Sequence, residues 1–132
     1  MQEQSPFKGI SGWRRIVNAL GYSISGLAAA YRHESAFRQE VWLALGLLIT
    51  ALLLPVGVLE RCLMIASVLL VLIVELLNSA VEAVVDRVSF ERHELAKRAK
   101  DMGSASVLIS LLLCLWVWAL ILLHRFAEPA WN

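Results

Sequence analysis

A long apolar run near the middle of the chain carries polar and acidic side chains that are unusual in such surroundings. Ionisable side chains within a membrane span cost roughly 2.5 to 3.5 kcal/mol each on insertion scales, so their presence indicates a functional site. At 100° per residue, five polar side chains of this run fall on one face of a helix: Glu75, Asn78, Ser79, Glu82 and Asp86.

The two glutamates of this polar stripe are spaced for separate roles. Glu75 and Glu82 would lie about 10.5 Å apart along a regular helix, which is too far for both to bind one ion. Glu82 is nearer the C-terminal end of this run, where a hydrated cation could reach it. Glu75 lies deeper, where a carboxylate suits a general base or a proton carrier. Proton or ion transport and chemistry on a lipid headgroup both fit, and a structural polar seam within an oligomer is the alternative.

Further charged residues lie at the ends of the neighbouring apolar runs. The segment HESAFRQE precedes the first run, and HELAKRAKDMGSA precedes the third. Magnesium takes one or two carboxylates together with phosphate oxygens, and Lys or Arg neutralise the remaining phosphate charge. These segments therefore favour a metal nucleotide, although an ordinary charged belt beside a membrane has the same composition. The side chains concerned are Glu34, Arg38, Gln39, Glu40, Lys97, Arg98, Lys100 and Asp101.

The composition restricts the scaffold that positions these residues. The chain has 132 residues, 59% hydrophobic and 17% charged, which is more apolar than a soluble domain. A large soluble catalytic domain is therefore excluded, and we expect one membrane domain over residues 1–132. The net charge of +1 provides no basic field for a nucleic-acid partner. Cys62 and Cys114 are too far apart for a zinc motif and are interpreted as reduced packing residues.

Three apolar runs are long enough to cross a bilayer as helices. They cover residues of about 41–59, 62–85 and 105–123. Pro55 and Gly57 indicate a tight turn, closed by Glu60 and Arg61, between the first two runs. The charged segment 87–101 is predicted to prolong the second helix into water.

A different pattern precedes the three runs. Over residues of about 11–38, apolar side chains recur at three- and four-residue steps with arginines between them, which predicts an amphipathic helix. With its basic residues and Trp13, this helix should lie flat on an anionic leaflet. Packing against the bundle is the alternative. The fold class is therefore all-α and integral to the membrane, with three spans and an N-terminal amphipathic surface helix.

The basic residues predict the orientation in the membrane. Ten of them fall before the first run or between the second and third, whereas Arg61 and Arg125 lie on the other side. The positive-inside rule then places the N-terminus and the second loop in the cytoplasm. Since three spans offer little to cover the polar stripe, we expect other copies of the chain to bury it in a homo-oligomer.

Familiar nucleotide motifs are missing from the sequence. The glycines of GYSISG have P-loop spacing, but Leu27 and Ala28 stand where Lys and Ser or Thr are required.

Four blocks of the sequence resemble those of a known family. They are RRIVNALGYSISGLAAA, AFRQE, VELLNSAVEAVVDR and RAKDMGSASV. With them the chain resembles the prokaryotic diacylglycerol kinase family, small lipid kinases that are unrelated to soluble kinases.

This resemblance implies a homotrimeric bundle in the bacterial inner membrane. Its implied activity is the Mg²⁺-dependent transfer of the ATP γ-phosphate to the free hydroxyl of diacylglycerol, which gives phosphatidate. A related branch of the family phosphorylates undecaprenol, and GYSISG is closer to the diacylglycerol branch. The rival from another class is a proton relay or small transporter, which the absence of ionisable residues from the third span disfavours. If the protein were only an assembly scaffold, self-association would be the sole explanation for the energetic cost of placing Glu75 in an apolar helix.

The resemblance also assigns roles to individual residues. Glu75 is implied to be the catalytic base, with Asn78 beside it, and Glu34 and Glu82 to hold Mg²⁺ on the ATP phosphates. The nucleotide is further implied to contact Arg15, Tyr22, Glu91, Arg92, His93, Lys100 and Asp101. Besides Glu75, the residues implied to contact the lipid are Arg15, Ala19, Ser23, Tyr31, Ala36, Arg38, Gln39, Glu40, Arg61, Ser104 and Trp118. The chain differs from the family pattern at His33, Ser89 and Phe90.

Overall fold

The computed structural model describes residues 12–88 and 93–127, and within these ranges the chain is helical without strands. Three of its helices are long and apolar enough to cross a membrane. The predicted all-α membrane fold with three spans is therefore confirmed. The helices in chain order are α1 (Gly12–His33), α2 (Ser35–Leu53), α3 (Val58–Val88) and α4 (His93–Phe126).

The first helix ends earlier than the sequence pattern indicates. Amphipathic periodicity predicted one helix to about residue 38, but α1 stops at His33 and Glu34 has an extended backbone, with φ −114° and ψ 106°. Arg38 donates from Nη1 to the carbonyl oxygens of Tyr31 and Arg32, at 2.8 and 2.9 Å. Because the last carbonyls of a helix lack partners within it, this guanidinium stabilises the end of α1.

The second helix ends at Leu53, six residues before the predicted end of the first span, and a short turn separates it from α3. Arg61 donates to the carbonyl oxygens of Ala51 and Leu54, both at 2.9 Å. The Glu60 carboxylate accepts from the Gly57 amide at 3.1 Å. Together these bonds satisfy the end of α2 and the beginning of α3, so the predicted closure of the turn by Glu60 and Arg61 is confirmed.

The charged segment after the second span belongs to a different helix than predicted. The expectation that residues 87–101 prolong the second span is wrong, because α3 ends at Val88 and α4 begins at His93. Lys97 and Asp101 form an ion pair one turn apart on α4, at 2.7 Å, a spacing that stabilises helices. Lys100 of α4 pairs with Asp86 of α3 at 2.6 Å and joins the two helices side by side.

The most tightly packed part of the bundle lies at the opposite end of α3. Met64 and Ala51 are fully buried there, and Trp118 of α4 packs against them. Trp118 donates from its indole nitrogen to the Met64 carbonyl at 3.2 Å. Both cysteines are free, and Cys114 is half-buried, 3.6 Å from the Ser67 hydroxyl. Cys62 is exposed, so its interpretation as a packing residue is wrong. This end fixes how α2, α3 and α4 are arranged around the polar stripe.

Candidate active site

Glu75 is the centre of the candidate site. Its side chain is buried in the middle of α3, with only 5% of the residue exposed. It interacts electrostatically with Glu82 and Glu34, and Glu40 in turn interacts with it. Four acidic side chains from the α1–α2 junction, α2 and α3 therefore converge on one region. Such a concentration of negative charge in an apolar bundle is unfavourable unless a proton or a cation compensates it.

The chain buries part of the polar stripe by itself. Glu75 and Ser79 are buried, Asn78 and Glu82 are half-buried, and Asp86 is exposed. The cover comes from helices of the same chain, since α1, α2 and α4 all contact α3. One chain thus buries Glu75 and Ser79, whereas Asn78 and Glu82 are only partly covered, and the expectation that other copies complete the cover stays a prediction. Ala30 is the one residue of α1 that is buried, so most of this helix stays exposed beside the bundle.

Glu34 lies at the edge of a groove between α1 and α3. The α1 side of the groove includes Gly26 and Ala30, and the α3 side includes Ser79, Ala80 and Ala83. Small side chains on both helices keep the groove open. The break after His33 places Glu34 in its wall, where it faces the polar stripe of α3.

The acidic residues fit a metal that shares its ligands with phosphate. Within residues 12–88 and 93–127 no group of three or more His, Cys, Asp or Glu could hold a metal by itself. Magnesium bound with a nucleotide needs only one or two carboxylates, because phosphate oxygens and water complete its octahedron. Glu34 and Glu82 both interact with Glu75 and supply hard oxygen donors of this kind.

Asn78 lies one helical turn from Glu75 on the same face of α3. Its side chain is directed at α4, where it meets the backbone of Gly103. The amide oxygen Oδ1 is buried without a hydrogen-bond partner. The structure thus places Asn78 beside Glu75, as expected, with part of its hydrogen-bonding capacity unused.

Two of the residues expected at the nucleotide, Lys100 and Asp101, lie near the same end of the bundle. Lys100 is paired with Asp86, one turn beyond Glu82, and Asp101 is paired with Lys97. All four of these side chains are substantially exposed to solvent. On α1, Arg15 lines a shallow depression and Tyr22 is exposed. Glu91 and Arg92 lie outside the described residues, and His93 is described only as the first residue of α4.

The residues expected at the lipid fall into two groups. The first group is on α1 and at the start of α2. Ser23 lines the same groove as Glu34 and donates to the Ala19 carbonyl, and the Tyr31 hydroxyl accepts from Trp42. Ala36 and Gln39 are exposed there, as is Ser104 on α4. The second group lines an apolar groove among α2, α3 and α4, which extends from Glu40 to Trp118.

Arg61 is not brought to this region. It lies 14 positions before Glu75 on α3, about 21 Å along the helix axis. Its guanidinium is engaged with the carbonyls that end α2. Trp118 is also distant from Glu75, although the apolar groove connects it with Glu40. Contact of either residue with the lipid stays a prediction.

The comparison with known proteins identifies the kind of protein to which this arrangement belongs. Residues 21–122 match the family described as prokaryotic diacylglycerol kinase. The chain belongs to this family. It is 60% identical over 119 residues to the diacylglycerol kinase of Pseudomonas aeruginosa, covering 90% of this chain and 97% of that protein. The diacylglycerol kinase of Escherichia coli is 51% identical over 116 residues, with coverages of 88% and 95%. That of Haemophilus influenzae is 51% identical over 112 residues, with coverages of 85% and 95%.

Membership of the prokaryotic diacylglycerol kinase family makes the protein a phosphotransferase. It disfavours the proton relay and the scaffold, because neither would belong to a kinase family. One residue of the site was missed by the sequence reasoning. Gly103 contacts Asn78 across the α3–α4 interface, and a glycine within an apolar helix carried no signal of this contact before the two helices were placed side by side.

Proposed function

We propose that this protein transfers the γ-phosphate of ATP to the free hydroxyl of diacylglycerol and so produces phosphatidate. The observation that carries the proposal is Glu75, which is buried in a membrane-spanning helix of a kinase-family chain and interacts with three further glutamates. The relatives from Pseudomonas aeruginosa and Escherichia coli bear the name of this activity. The reaction needs a base that reaches a hydroxyl within the membrane, and Glu75 is located for that task.

The proposed course of the reaction is based on how deep the site residues lie along α3. The Glu75 carboxylate takes the proton of the diacylglycerol hydroxyl as that oxygen bonds to the γ-phosphorus. The bond between the γ-phosphorus and the β–γ bridging oxygen breaks, and ADP leaves with the electron pair. The apolar groove that ends at Glu40 would accommodate acyl chains, and Glu40 interacts electrostatically with Glu75, so the lipid hydroxyl is proposed to approach Glu75 from this side. Such a reaction depends mainly on positioning and neutralisation of charge.

The nucleotide side of the site is proposed to lie between Glu82 and Lys100. Glu34 and Glu82 would hold Mg²⁺, which supplies charge neutralisation on the phosphates when it is bound. Lys100 provides a cation at the same end of the bundle, because its ion pair with Asp86 holds it against α3. Arg15 and Tyr22 of α1 are exposed toward solvent and available to the nucleotide.

We further propose an inner-membrane homotrimer with the N-terminus and the loop between α3 and α4 in the cytoplasm. The distribution of basic residues supports this orientation. Each of the spanning helices exposes many large apolar side chains, which lipid tails and neighbouring copies would cover. The orientation brings Glu82, Lys100 and Asp101 to the side of the membrane that holds ATP.

The direct test is phosphate transfer from labelled ATP by the purified protein in mixed micelles that contain Mg²⁺. Diacylglycerol and undecaprenol are offered separately, and a sample with excess chelator is the control. We expect labelled phosphatidate with diacylglycerol, and loss of transfer on chelation. Labelled undecaprenyl phosphate alone would overturn the proposed substrate. No transfer to either lipid by the folded protein would overturn the kinase reaction itself.

A further inference from the structure

Gly103 of α4 lies against Asn78 of the polar stripe on α3. A Cβ atom on this glycine would overlap the Asn78 amide oxygen and lie 3.2 Å from its Cγ. Among the described glycines, Gly12, Gly21, Gly26 and Gly46 have open space at the corresponding point. The Asn78 side chain therefore occupies the volume that any larger residue at position 103 would fill.

Packing, rather than hydrogen bonding, holds the oxygen end of Asn78 in this place. Its Oδ1 atom is buried and has no hydrogen-bond partner. A buried amide oxygen without a partner is unfavourable, by about 1 to 3 kcal/mol. The space left by the missing side chain of Gly103 accommodates the observed orientation. If that space were filled, the amide would turn away about its flexible side-chain torsions.

We propose that Gly103 is a positioning residue of the kinase, which leaves the space that orients the Asn78 amide beside Glu75. The inference rests on the proposed function, since it assigns Gly103 to the reaction that Glu75 and Asn78 perform. Gly103 touches neither substrate nor metal in this account. It acts through Asn78 alone.

The proposal predicts that Gly103→Ala separates activity from folding. The atom that collides with the new methyl group is the far end of a side chain, so rotation of Asn78 relieves the overlap without moving the helices. Alanine also favours a helix over glycine by about 1 kcal/mol. We expect the variant to fold, with kcat lowered about 10- to 100-fold. The KM values for ATP and for diacylglycerol should stay within about threefold of wild type, because binding contacts are intact.

Gly46→Ala is the matched control. Gly46 also lies within a membrane-spanning helix, α2, but a methyl group there meets no atom within 4 Å. It makes the same chemical change without a contact to the polar stripe. Its kcat should lie within about twofold of wild type.

Nuclear magnetic resonance of asparagine side chains reports the position of Asn78 independently of activity. The sequence contains three asparagines, Asn18, Asn78 and Asn132, so selective ¹⁵N labelling gives three pairs of side-chain amide signals. Comparison with the Asn78→Ser variant, which lacks this amide, identifies the pair of signals that belongs to Asn78. Gly103→Ala should shift that pair, and Gly46→Ala should leave it unchanged.

The outcomes are distinguishable. A kcat of Gly103→Ala equal to that of Gly46→Ala, or an unmoved Asn78 signal, overturns the proposal. If Gly103→Ala does not fold, the double variant with Asn78→Ala should fold, because the colliding side chain is gone. Failure of both to fold also overturns it. If the wild-type protein transfers no phosphate, the proposed function fails, whereas the Asn78 signals still decide whether Gly103 orients this side chain.

Discussion

At the scale of single residues, the site is a set of carboxylates gathered around Glu75. Glu75 and Glu82 could be predicted because charge within an apolar run is costly, and Glu34 was singled out from the charged segment HESAFRQE before the first span. The interaction of Glu40 with Glu75 could not, because it depends on how α2 crosses α3. Gly103 gave no signal in the sequence, since its effect depends on the distance between two helices. Residue type thus indicates which chemistry a side chain can perform, but not which side chains lie close together in the fold.

Lys100 provides a prediction at this scale. Lys100→Ala should raise the KM for ATP several-fold, because it removes a cation held against α3 beside the proposed nucleotide site. Arg125→Ala is the control, since it removes a positive charge of the same helix at its other end, far from the proposed nucleotide site. The measurement is initial rate against ATP concentration at saturating diacylglycerol. Equal KM values for the two variants would contradict the role of Lys100.

At the scale of helices, the sequence predicted which segments exist but not where they end. Hydropathy located all three spans, because burial in lipid requires long apolar runs. The breaks at Glu34 and at residues 54–57 depend on Arg38 and Arg61, which bind carbonyls at the ends of the preceding helices. Hydropathy does not detect such bonds. It also could not tell whether the charged segment before residue 101 continues α3 or begins α4.

Two tryptophans of α4 test the packing of the bundle. Trp118 is 8% exposed and bonded to the Met64 carbonyl, whereas Trp116 is 60% exposed. Trp118→Phe should lower the free energy of unfolding by about 1 to 3 kcal/mol, because it removes this hydrogen bond and leaves a gap against Met64. Trp116→Phe should change it by less than about 0.5 kcal/mol.

Denaturation in detergent micelles, followed by circular dichroism, measures both variants. The difference between them matters more than either value, because the two changes remove the same atoms from the same helix. If both variants unfold at the same denaturant concentration, the contact between Trp118 and Met64 contributes nothing to the stability of the bundle. The described packing of α3 on α4 would then be wrong.

At the scale of the whole molecule, the helices of one chain cover Glu75 and Ser79 without help from another copy. Asn78 and Glu82 are only partly covered, so completion of the cover by other copies stays a prediction. The homotrimer remains a proposal that rests on the family resemblance and on the apolar surface of the spanning helices. The orientation rests on the basic residues, which cluster at the end of the bundle that carries Glu82 and Lys100.

The natural cysteines test this orientation. Cys62 is exposed at the beginning of α3, so it should react with a membrane-impermeant maleimide added to intact spheroplasts. In a Cys62→Ser background, Lys97→Cys should react only after the membrane is opened, because α4 begins on the other side. Reaction of Lys97→Cys in intact spheroplasts would contradict the cytoplasmic location of the α3–α4 end.

The most direct test of the central claim is the activity of Glu75→Gln in the labelled-ATP assay with diacylglycerol. Glutamine keeps the size and the hydrogen-bonding atoms of the side chain but cannot act as a base. Glu60→Gln makes the same change at the other end of α3, where the amide oxygen can still accept from Gly57. We predict that Glu75→Gln loses about 100- to 10,000-fold in kcat while it remains folded. Glu60→Gln should stay within about twofold of wild type. A Glu75→Gln protein that keeps more than about a tenth of wild-type kcat would contradict the account.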